Sequence, residues 1–69
     1  MALKLTLAAA RVNVGLTQRQ AAAELNVSRE TIGKWENGKV SPTADKIDAI
    51  CTLYRVAYDN LIFFKTNNA

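Results

Sequence analysis

Start and stop signals for helices recur along this chain at intervals of about ten residues, which divides it into short helical pieces. Thr6, Thr17 and Ser28 each offer a side-chain oxygen to open a helix, and Ser41-Pro42-Thr43 marks a loop and a further start. Gly15, Asn26 and Asn37-Gly38 are suited to close the preceding pieces. Glycine adopts a left-handed backbone freely, and asparagine is one of the few other residues that accept it. A first helix is expected over about Leu7–Val14, with Leu7, Ala10, Arg11 and Val14 on one face. A second starts at Thr17, where Thr17 and Gln20 have the spacing of a capping box. A third runs Arg29–Glu36, and Ile47, Ile50, Cys51 and Tyr54 form the apolar stripe of a fourth. A fifth, over about Tyr58–Ile62, is shorter. The expected class is all-α, with five short helices.

The two ends read differently. Leu3-Lys4-Leu5 alternates as a strand does, and Ile62-Phe63-Phe64 is an apolar run. Residues 2–5 are therefore expected to pair with about 62–66 as short terminal strands, ahead of a loose tail over 66–69. With no linker or internal repeat, residues 1–69 read as one domain. Leu61, Ile62, Phe63 and Phe64 supply more apolar surface than so small a core is expected to absorb, and Leu3, Leu5, Phe63 and Phe64 are the candidate surface for a dimer or a partner. Phe63 and Phe64 either close the monomer's own core or pack against a second copy or a partner protein.

Composition excludes several classes of function. The one cysteine, Cys51, cannot form an internal disulfide, and without histidine there is no zinc site of the usual kind and no common general base. No acid/base pair suited to catalysis is evident, so an enzyme is not expected, nor a cofactor or metal. No apolar run approaches the roughly 18 residues of a membrane span. A reducing, cytoplasmic setting is expected. The net charge is +3, and all of the excess lies in residues 1–40, where six basic residues face three acidic ones. That imbalance points toward a polyanionic partner.

The informative stretch is residues 18–37: two short helices joined by a tight turn at Asn26. Ala22 is small where the helices must cross, and Ile32 and Trp35 fill the angle between them. One face of the second helix is left protruding, with Ser28, Arg29, Glu30, Thr31 and Lys34 on it. Such a helix fits the major groove, which is about 12 Å wide, and these side chains can hydrogen-bond base edges or phosphates.

Taken in order, these pieces resemble a known family. Arg11 with Gly15-Leu16-Thr17-Gln18, Ala22-Ala23-Glu24-Leu25, Val27-Ser28-Arg29-Glu30-Thr31-Ile32, Trp35-Glu36-Asn37-Gly38-Lys39 and Pro42 are similar to the motifs of lambda-repressor-like, Cro/XRE-type helix-turn-helix proteins. The resemblance covers about residues 6–62. It implies sequence-specific binding of double-stranded DNA by a small transcriptional regulator, a Cro-type repressor or modulator of phages or bacteria. Arg29, Glu30 and Lys34 would read bases. Gln18, Arg19, Ser28, Thr31, Asn37 and Lys39 would contact the DNA backbone, and Arg11 would pair with Glu36. A homodimer is expected at least on DNA, with a second repressor protein as a further partner and no membrane. The alternative is an antirepressor or antitoxin that uses the fold to bind protein. Three residues depart from the family pattern: Asn26 and Arg55 stand where glycine is usual, and Ala57 replaces a Ser/Thr cap on the fifth helix.

Overall fold

The computed structural model describes residues 4–63. Its elements follow the punctuation. Strand β1 (Leu5–Thr6) leads directly into α1 (Leu7–Asn13), followed by α2 (Gln18–Leu25), α3 (Arg29–Glu36) and α4 (Ala44–Tyr54). A single 3₁₀ turn (Tyr58–Asn60) and strand β2 (Leu61–Ile62) complete it.

Three of the helix starts are capped as the residue types require. Thr6 Oγ1 accepts the Ala9 N–H at 3.1 Å and Ser28 Oγ accepts the Thr31 N–H at 3.1 Å. Thr17 and Gln20 form a reciprocal capping box, at 3.0 and 2.9 Å. The fourth start is different. Thr43 precedes α4 but makes no such cap, and its hydroxyl instead donates to Asp45 Oδ1 at 2.7 Å.

The core draws from every helix: Leu7 and Ala10, Ala21, Ala22 and Leu25, Ile32 and Trp35, Ile50 and Tyr54, closed by Leu61. Within each helix these positions are mainly three or four apart, so one face of each turns inward. Three of the ten are alanines, which let the backbones approach closely. Half-buried Cys51 packs against this core, and burial pushes its thiol pKa up.

Two expectations are corrected. The described residues hold four α-helices, not five, because the last helical piece is one 3₁₀ turn. Ala57 has no side-chain oxygen to cap it, and Leu61 turns extended immediately after it. The terminal strands form, but with a different register. Leu5 pairs with Leu61 and Thr6 with Ile62, in parallel. Burial of Leu61 beside α1 places β2 one residue earlier than the sequence alternation suggests, and Lys4 Nζ adds a 2.9 Å hydrogen bond to the Asp59 carbonyl. Leu3, Phe64 and the 66–69 tail lie outside the described residues.

Leu5 and Phe63 both pack against the monomer's own core, and the Phe63 ring lies 5.3 Å from that of Tyr58. Among the described residues at this end, the large apolar side chains left exposed are Tyr58 and Ile62, at 58% and 38%. Among the described residues no helix is long and apolar enough to cross a membrane.

Candidate nucleic-acid interface

The geometry between α2 and α3 depends on how α2 ends. Asn26 takes the left-handed conformation, at φ 59° and ψ 45°. The Val27 N–H then reaches back to the Ala22 carbonyl at 2.9 Å, as in a left-handed helix closure. Lys46, from α4, donates to the Leu25 carbonyl at 2.7 Å. A cation on the last carbonyls of a helix is favoured by the helix dipole. Ile32 and Trp35 then lock α3 against the core, which leaves the opposite face outward.

That face carries Arg29, Glu30 and Lys34, all exposed, with half-buried Gly33 among them. Arg19 is exposed at the start of α2, and Asn37 and Lys39 are exposed beyond the end of α3. Gly38 at φ 77° ends the helix and the Lys39 N–H returns to the Lys34 carbonyl at 3.0 Å, so Lys39 leaves the helix axis. Ser28 and Thr31 are less free than a surface pair would be. Their hydroxyls lie 2.9 Å apart, and Ser28 is occupied with the helix cap.

Beneath this surface runs a continuous polar chain. Arg11 on α1 donates from Nε to Glu36 Oε2 at 2.7 Å and from Nη2 to Oε1 at 3.3 Å, with side-chain exposures of 12% and 8%. Its Nη1 donates to the Leu16 carbonyl at 2.8 Å, so the guanidinium also holds the α1–α2 connection. Hydrogen bonding to Glu36 raises the Arg11 pKa above its ordinary value, against the opposing effect of burial. Gln18 Nε2 donates to Glu36 Oε1 at 2.9 Å, and Gln18 Oε1 accepts from Arg29 Nη1 at 3.1 Å. An ionised carboxylate is acceptor-only, so the Gln18 amide nitrogen must face Glu36 and its oxygen must face Arg29.

The expected roles of these residues are therefore joined in one network. Gln18, expected at the DNA backbone, has both ends of its amide engaged within the protein and reaches the first residue of α3. The Gln18–Arg29 bond was not legible in the sequence: the two residues are eleven apart and on different helices, and no local pattern encodes the contact. Lys46 was missed for the same reason. Its partner is a backbone carbonyl, which leaves no trace in side-chain spacing.

Comparison with known proteins agrees with this geometry. Residues 7–61 match the family described as helix-turn-helix. The chain is also similar to an HTH-type transcriptional activator, BcrR of Enterococcus faecalis, at 40% identity over 52 residues. That match covers 75% of this chain and 26% of the relative, so the chain spans about a quarter of the relative's length.

Proposed function

Because the chain belongs to the Cro/XRE-type helix-turn-helix family of DNA-binding transcription regulators, we propose that it reads specific double-stranded sequences with α3 in the major groove. The observation that carries this is the outward face of α3, polar and exposed, on a helix anchored to α1 and α2 by partly buried polar groups. Arg29 and Lys34 are matched to guanine N7 and O6, and Glu30 to the cytosine N4 amino group. Arg19, Ser28, Thr31, Asn37 and Lys39 flank that face and serve the phosphates, which position the helix without reading sequence. Gln18 serves at the same edge while holding Arg29.

The mode of action is that of a small Cro-type repressor or modulator in the cytoplasm, competing with a second repressor for an operator. An operator that overlaps a promoter makes binding alone sufficient to repress, and one placed upstream allows the activation named for the relative. Two copies related by a two-fold axis read half-sites about 34–36 Å apart, which raises affinity and specificity. Among the exposed large apolar side chains of the described residues, Val12, Val40, Tyr58 and Ile62, the last two are the pair assigned to that contact. The same pair supports the alternative reading, an antirepressor or antitoxin that binds another protein.

Selection from a randomised duplex library tests the proposal. The wild type is expected to enrich a two-fold-symmetric site. Arg29→Ala and Lys34→Ala should each lose about 1–3 kcal/mol on it and relax preference at one position. Enrichment of no sequence, with retention of a protein partner instead, would favour the alternative.

A further inference from the structure

Gly33 sits inside an eight-residue helix, and nothing among the described residues accounts for it. Glycine is the poorest helix former after proline, so its place in a short helix needs a reason. A left-handed backbone is not the reason: the positive-φ glycines are Gly15 and Gly38. Crowding is not the reason either, because a Cβ added at Gly33 would meet no atom of the described residues within 4 Å beyond its chain neighbours and its own helix backbone. Close helix crossing is served by Ala22, Ile32 and Trp35 on the other side.

Its position supplies a reason outside the chain. Gly33 follows Arg29 by four residues and Glu30 by three, so it lies on the same outward face. It is flanked by the three long side chains proposed to reach base edges. A helix with side chains is about 10–12 Å across, close to the width of the major groove, so a missing side chain changes how deeply α3 can sit. What glycine presents there is an apolar CH₂, and the apolar group on the groove floor is the thymine C5-methyl.

Resting on the major-groove reading above, we infer that Gly33 is a specificity-determining position, where the backbone of α3 packs directly against a thymine methyl. The Cβ space left open at Gly33 is filled by DNA. Helix stability and sequence recognition are therefore set against each other at this residue.

The test uses Gly33→Ala and Gly33→Leu, thermal melts, and anisotropy titrations on the wild-type-selected duplex and on a random-sequence duplex. Gly33→Ala is expected to raise Tm by about 3–8 °C, since alanine is the better helix former. Its affinity for the selected duplex should fall about fivefold or more, the low end of a base-pair mismatch, with little change on random DNA. Gly33→Leu should lose more. Replacing thymines of the selected duplex one at a time by deoxyuridine, which lacks the methyl, should restore Gly33→Ala binding at one position. Wild-type affinity in both variants, equal losses on both duplexes, a lowered Tm, or restoration at no thymine would each overturn the inference. A wild type that selects no sequence would instead overturn the major-groove reading on which it rests, a distinguishable failure.

Discussion

Two non-glycine residues among those described, Asn26 and Arg55, hold a positive φ, at 59° and 56°, and they are not equally suited to it. Each closes a helix, α2 and α4 respectively, where the chain must reverse. Asparagine tolerates the left-handed region, whereas a long side chain with a Cβ is strained there by about 1–2 kcal/mol. Arg55→Gly relieves that strain, and the extra freedom of glycine in the unfolded chain offsets about 0.4–1 kcal/mol of the gain. A net stabilisation of roughly 0.5–1 kcal/mol is expected, readable as a rise in Tm with DNA affinity unchanged. A lower Tm would mean that the Arg55 side chain holds contacts worth more than the strain. Tyr54, its neighbour, is a second test at this scale. Burial pushes its pKa up from 10 to about 12, because the ionised phenol is disfavoured inside the core. A folded pKa above the unfolded one contributes stability that is complete below pH 10 and is lost as pH rises through about 12. Denaturation midpoints should therefore fall across that window, and Tyr54→Phe should weaken the fall. An unchanged profile in Tyr54→Phe would assign the alkaline transition to another group.

The elements that present the interface are held by one ion pair more than by their own sequences. Helices of seven and eight residues are too short to persist alone, so tertiary contacts must stabilise them. Arg11 and Glu36 tie α1 to the end of α3, and Gln18 joins α2 to α3 through Glu36 and Arg29. Removing one partner leaves the other partly buried and unpaired. In urea denaturation Glu36→Ala should therefore cost more than the loss of an exposed pair, about 1 kcal/mol, and at most that of a fully buried one, about 3–5 kcal/mol. A paired Arg11→Met/Glu36→Leu replacement should recover much of that loss. A single-variant loss below about 1 kcal/mol, the range of exposed pairs, would show that the pair is solvated. The double variant should still show weaker sequence preference at the base proposed for Arg29, since Gln18 has lost the carboxylate that sets its orientation.

At the scale of the whole molecule, charge is segregated along the chain. The first 40 residues carry the entire net +3, and they contain α1, α2 and α3. The second segment, with α4 and the 3₁₀ turn, is balanced and acts chiefly to close the core and brace the turn through Lys46. Lys39 lies at the border, exposed and beyond the helix end. Lys39→Ala should weaken binding to selected and random duplexes alike and reduce the slope of log K against log salt by about one unit. Anisotropy titrations across a salt series measure this directly, and an unchanged slope would remove Lys39 from the phosphate contacts.

Most of the helical framework was legible in the sequence because its signals are local. A cap needs only an oxygen one turn from a free N–H, and a left-handed closure needs only a residue that tolerates it. Thr6, Thr17, Ser28 and Asn26 therefore announced three helix starts and the central turn. The outward position of Arg29, Glu30 and Lys34 followed from the periodicity that turns Ile32 and Trp35 inward. The three-dimensional structure alone decided what depends on distant partners. The β1–β2 register was set by burial of Leu61 beside α1. The absent cap at Ala57 was visible in the sequence, but that the last helical piece is a single 3₁₀ turn was decided by the chain's extension from Leu61 to pair with β1. Phe63 packed inward, leaving Tyr58 and Ile62 exposed. The link from Arg11 through Glu36 and Gln18 to Arg29 required three helices already in place, and hydrogen bonds between distant residues follow no spacing along the chain.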